Sequence, residues 1–136
     1  MSSREDLARI IDSASQIAVA TLTEDGSAPD VRIVLGVYDP ASDQVLFMSA
    51  DKAQKVAEIS AHPQASLATP QFGEDAARIR QATVKPITPT DAQLALYNHK
   101  YPQTAKYAAH SDFFALSFKQ AEVTIAGVTS TVDIPE

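Results

Sequence analysis

The stretch VRIVLGVYDPASDQVLFMS, residues 31–49, sets the tightest limit on what this chain can become. Val31, Ile33, Leu35 and Val37 alternate with Arg32, Val34, Gly36 and Tyr38. That is the period of two of a strand with one buried face and one mixed face. Asp39-Pro40 leads a turn over residues 39–43, and VLFMS (45–49) reads as the returning strand. So short a connection makes the two strands antiparallel.

The same pattern recurs along the chain. IAVATLT (17–23) is β-rich, and Asp25-Gly26 within EDGS (24–27) is a hairpin signal. ASLATPQ (65–71) reads as a strand. In ARIRQATVKPI (77–87), Ile79, Gln81 and Thr83 fall on one side and Arg78, Arg80, Ala82 and Val84 on the other. FFALSFKQAEVTIAG (113–127) holds one long strand or two short ones.

Helical spacing interrupts the strands in three places. Residues 4–14 set Leu7, Ile10 and Ile11 on one side. KAQKVAEISAHP sets Ala53, Val56, Ala57 and Ser60 together with Ile59 beside them, and Pro63 ends the run. Residues 89–109 are helical in two pieces divided before Pro102, with Thr88 as N-cap and Pro89 in the first turn. The expectation is a mainly β chain with flanking helices (α+β by some schemes), antiparallel, with six to seven strands. It is one domain over residues 1–136: a helix at about 4–14, the strands within about 16–127 and a loose tail at 128–136.

Composition narrows the function. No apolar stretch approaches the roughly 18 residues that span a bilayer, so no membrane is expected. The N-terminus lacks the basic start and apolar block of a secretory signal, so the cytoplasm is expected. The chain has no cysteine, which excludes disulfides and thiolate chemistry. A net charge of −6 argues against nucleic acid, whose phosphates must be neutralised. His62, before Pro63, reads as a helix-end cap. His99 and His110 have no metal-ligand spacing. GxSxG, GxGxxG and the phosphate-loop motif are all absent.

Against that acidic background, Arg32, Lys52 and Lys55 stand out. Lys52 and Lys55 are three apart at the start of a predicted helix, so they share a face, and Ser49 precedes them. A helix start and a nearby arginine form an anion site, with Arg32 as the planar grip and Lys55 as a point charge. The competing reading is an ordinary solvated surface. Asp51, a natural N-cap, would repel an anion held too close.

These segments resemble the FMN-binding split-barrel proteins related to pyridoxamine 5′-phosphate oxidase. The resemblance rests on IAVATLTEDGSAPDVRIVLGVYD, on VLFMSADKAQKVAEISAHPQASLATP and on ARIRQATVKPI, with NHKYPQ and FFALSFKQAEVTIAG also similar. It implies a Greek-key antiparallel split β-barrel and a homodimer with FMN in the groove between subunits. Arg32 and Lys55 would meet the FMN phosphate, with Lys52 a substitute charge. Ile33, Val34 and Leu35 would run along the flavin, and Ser49 would approach the ring or ribityl chain. Arg78 or Arg80 would face the flavin's polar edge. The family's Ser-Arg-Lys triplet reads Ala53-Gln54-Lys55 here, and its frequent strand lysine is Val37. Its C-terminal substrate motif has no counterpart, and the chain has no tryptophan. The resemblance thus implies an FMN-dependent oxidoreductase acting on a small molecule other than pyridoxamine phosphate. The alternatives on the same barrel are a non-catalytic flavin- or haem-binding, stress-related module and a deazaflavin-dependent reductase.

Overall fold

Leu7, Ile10 and Ile11 are the reason the chain opens with a helix. The computed structural model describes residues 3–49, 52–106, 108 and 111–134, with the backbone alone for Ser49 and residues 52–56. In it those three side chains are buried along one side of α1 (Arg4–Ser13). Ser3 starts the helix with a reciprocal cap: its Oγ accepts from the Asp6 N–H, and the Asp6 carboxylate accepts from the Ser3 N–H. The remaining elements are β1 (Ile17–Leu22), β2 (Pro29–Val34), β3 (Gly36–Asp39), β4 (Gln44–Ser49), α2 (Lys52–Ala61), β5 (Gln64–Ala68), β6 (Ala76–Ile87), α3 (Asp91–Lys100), β7 (Asp112–Phe118), β8 (Gln120–Ile125) and β9 (Val128–Asp133).

Among the described residues the strands pair in the order β2-β1-β5-β6-β7-β4-β3, every pair antiparallel. The first half of β6 pairs with β8, which pairs with β9. β2 and β3 stand at opposite ends of the order, yet only Leu35 separates them in sequence. The sheet must therefore curl until its two ends meet, which is the antiparallel split barrel. Val19, Phe47, Ile79, Phe114, Leu116 and Val123 fill the interior against α1. Phe47 and Phe114 stack there at 5.5 Å. A second cluster packs Tyr97 and Tyr101 against Val37, Leu46 and Phe113.

The structure corrects the sequence reading in several places. Residues 31–38 do not form one strand with Val31 and Ile33 inward. β2 turns Asp30, Arg32 and Val34 inward and leaves Val31 and Ile33 66% and 61% exposed. The chain then changes partners at Leu35, and all four residues of β3 are buried. Side chains from the α3 end clamp that switch. Tyr97 donates to the Leu35 carbonyl at 2.9 Å, and Lys100 and Tyr101 donate to the Gly36 carbonyl at 2.7 and 2.6 Å. A Cβ at position 36 would meet Ile17 Cδ1 at 2.7 Å, so any larger residue there would force that buried side chain to shift.

In β6 a bulge sets the three steps from Ile79 to Ala82 against the two steps from Leu67 to Ala65 on β5. Ile79 therefore shares the inward side with Ala82 and Val84, while Gln81 and Thr83 face outward with Arg78 and Arg80. The cap of α3 is Thr90, with Gln93 completing its capping box, instead of Thr88. Residues 113–127 make two strands. The expected loose tail is β9, turned back by Ala126 and Gly127 at positive φ of 53° and 81°. These changes bring the count to nine strands among the described residues, against six to seven expected. No described helix is long and apolar enough to cross a membrane. Asp51 and His110 lie outside the described residues.

Candidate functional site

The pleat of β2 puts Asp30 and Arg32 on one face, two residues apart. The Arg32 guanidinium donates through Nη2 to Asp30, and the same nitrogen lies 3.4 Å from both carboxylate oxygens of Glu58 on α2. Glu58 is 2% exposed and also accepts from the Thr21 hydroxyl at 2.8 Å. Thr21 stands opposite Asp30 in the β1–β2 register. Burying a carboxylate is costly unless it is paired and hydrogen-bonded, and this one has both a cation and a hydroxyl donor beside it. The result is a polar knot tying β1, β2 and α2 together beneath the helix.

Sequence reasoning placed Arg32 near the end of the strand at 45–49, by the start of the following helix; the structure pairs it with Glu58, in the later turns of that helix. That reasoning missed the acids. Aspartate two residues before an arginine in a strand is the sequence signal for Asp30. For Glu58 the signal is its place beside Ile59, the inward residue of α2. Charged residues are normally solvated, so neither stood out.

The other predicted residues divide by location. Val34 points inward and Ile33 outward. Leu35 is half-buried at the strand switch. Among the described residues β2 pairs with β1 alone, so its other edge carries no strand. Ser49 ends β4 opposite Asp112. Lys52 and Lys55 lie in the first turns of α2. The side chains of Ser49, Lys52 and Lys55 are outside the described set.

Arg78 and Arg80 project from the outer face of β6, away from Arg32. Both pair with Glu122 of β8, at 2.9 and 2.6 Å. The hydrogen bond from Arg78 holds the Glu122 carboxyl below the usual carboxylate range. The two arginines border a groove of about 1030 Å³ that is also lined by Ala20, Leu22, Ser66 and Phe118. A smaller cleft of about 440 Å³ adjoins Leu35, between Asp12 and Lys100. Burial pushes the Lys100 amine down to about 8. Among the described residues no group of His, Asp and Glu could hold a metal ion.

A curled antiparallel sheet, closed through one strand that changes partners beside a guanidinium, defines a protein of the split-barrel class. The family described as pyridoxamine 5′-phosphate oxidase matches residues 3–125. The chain belongs to this family. No curated protein matches its sequence. Several solved structures share the fold. General stress protein 26 from Bacillus anthracis str. Sterne aligns with a TM-score of 0.73 at 10% identity, over 96% of this chain and 98% of that one. HutZ, the haem storage protein from Vibrio cholerae, aligns with a TM-score of 0.70 at 12% identity, over 88% and 93%. A haem binding protein from Mycobacterium smegmatis aligns with a TM-score of 0.70 at 17% identity, over 98% of this chain and 59% of that one. Identities this low carry the fold alone.

Proposed function

We propose that the chain is a cytoplasmic FMN-binding homodimer that acts as an oxidoreductase on a small molecule, with its cofactor in the groove between protomers. The observation that carries this reading is the placement of Arg32. Its guanidinium sits on a strand that, among the described residues, pairs with β1 alone, and it is turned toward the helix that begins with Lys52 and Lys55. That donor set suits a flavin with a phosphate tail. Arg32, Lys52 and Lys55 would hold the phosphate, and Ser49 the ribityl side. Backbone groups along Ile33 and Val34 would meet the polar edge of the ring. The Leu35 carbonyl is already taken by Tyr97, so Leu35 contributes shape.

Val31 and Ile33 support the dimer. They form an exposed apolar ridge beside the large groove, and a second copy would cover it. Arg78 and Arg80, on the same outer side, would then reach toward the partner's cofactor. Bound FMN would supply the electron or hydride transfer, and the chain its position and electrostatic setting.

A non-catalytic flavin- or haem-binding module is a second reading. It is favoured by the two carboxylates already on Arg32, and by the likeness to haem storage and haem binding proteins. Titration of the purified protein with FMN and with haemin, followed by absorbance, separates the two readings. Under the first, FMN binds, and Arg32→Ala weakens it by roughly 1.5–3 kcal/mol, the worth of a charge-assisted contact. Haemin binding without FMN binding would overturn it.

A further inference from the structure

We propose that Lys100 is a nucleophilic amine that takes an acyl group from a small uncharged thioester entering the cleft beside Leu35. The amine ends α3 and is half-buried, and its Nζ donates to the Ile11 carbonyl at 2.9 Å and to the Gly36 carbonyl at 2.7 Å. Those two acceptors match both N–H groups of a neutral amine and leave its lone pair over. An ammonium carries a third N–H, and among the described residues Nζ has no third acceptor. Lys100 also lines a cleft of about 440 Å³ with Asp12, Ser13, Ser15 and Gln103, which gives a small reagent room beside the side chain.

The groups packed around the amine set its state. Burial pushes it down to about 8, against the pull of Asp12 on α1. Tyr101 donates to the same Gly36 carbonyl at 2.6 Å, and burial holds its hydroxyl up at about 12, so it stays protonated. Tyr38 of β3 turns its hydroxyl to Asp43 instead. The Asp12 carboxylate in the cleft wall repels an anionic donor, so an uncharged one fits. In the reaction Nζ attacks the thioester carbonyl carbon. A C–N bond forms, and the C–S bond breaks with its electron pair on sulfur. The proton shed by nitrogen passes through water to the thiolate, so the products are an amide and a thiol. The amide keeps a single N–H, so one of the two carbonyls loses its donor. Acylation thereby loosens the clamp on the strand switch.

The small uncharged thioester S-acetyl-N-acetylcysteamine tests this on the folded wild-type chain at about pH 8. Digestion and mass spectrometry give an acetylation rate for each lysine, with the exposed Lys85 and Lys106 as internal references. At that pH an amine of pKa about 8 is about half neutral, against roughly one in 250 for an ordinary lysine, an advantage of about a hundredfold. Weaker basicity and half-burial cancel part of it, so Lys100 is expected to react about tenfold faster than either reference. The lead should shrink as pH rises to about 10, where ordinary amines also lose their proton. In urea, with the fold removed, all three lysines should react alike. A Lys100 no faster than the references in the folded protein overturns the inference. So does a lead that is unchanged between about pH 8 and 10, or one that persists in urea.

Discussion

Replacing Ile33 with serine is expected to dissociate the proposed homodimer while leaving the protomer folded. In one protomer Ile33 is 61% exposed, so about three-fifths of its surface remains to be covered. Full burial of an aliphatic side chain is worth roughly 1.5–3 kcal/mol, so covering the remainder contributes roughly 1–2 kcal/mol. A two-fold interface uses the same patch on both subunits, so each substitution counts twice. The expected loss is roughly 2–4 kcal/mol, which weakens association by about thirtyfold to several hundredfold. The protomer itself loses little, because the side chain already faces water.

Sedimentation over a concentration series measures the association constant, and urea unfolding of the monomeric fraction checks the fold. Val128→Ser is the control: Val128 is 70% exposed, but it lies on β9, away from the β2 ridge. An unchanged constant for Ile33→Ser, an equal loss for Val128→Ser, or a wild type that is monomeric throughout would refute the reasoning.

Two further substitutions test the strand switch. Gly36→Ala forces a Cβ to within 2.7 Å of the buried Ile17 Cδ1, and overpacking of this kind costs about 1–3 kcal/mol, read as a lower urea midpoint. Lys100→Met tests the buried amine. Its folded pKa of about 8 lies below the ordinary 10.5, so between those values the unfolded chain binds more protons and stability rises with pH. The penalty is fully present below pH 8 and relieved as pH climbs to 10.5. Tyr101 acts in the opposite sense above pH 10, because burial raises its hydroxyl to about 12 and the folded state then binds more protons. Urea midpoints at about pH 7, 9 and 10 should show wild type gaining on Lys100→Met as pH rises, whereas parallel curves would contradict the assignment.

Much of this architecture was legible because it is local. The alternation at 77–87, the Asp25-Gly26 and Asp39-Pro40 turns and the apolar spacing of Leu7, Ile10 and Ile11 each depend on neighbours in sequence, and each produced its element, while the alternation at 31–38 marked β-structure that the fold divides into two strands at Leu35. Arg32 was legible as the residue of interest because an arginine inside an apolar run in an acidic chain is costly unless it has a partner. The identity of its partners was not. Glu58 lies 26 residues away and Thr21 lies 37 residues from Glu58, and they meet only because α2 folds across β1 and β2.

Strand polarity was hidden for the same reason. A period of two marks two faces without saying which is inside. Val31 and Ile33 looked inward until closure of the sheet through Leu35 turned Asp30 and Arg32 toward the helix. A bulge at Arg80 and Gln81 likewise reversed the reading of half of β6. Short-range preferences thus set where strands, turns and helices form. The inside of the barrel, and the company its arginine keeps, depend on pairings between distant segments, which become energetically defined only when the sheet closes and water leaves.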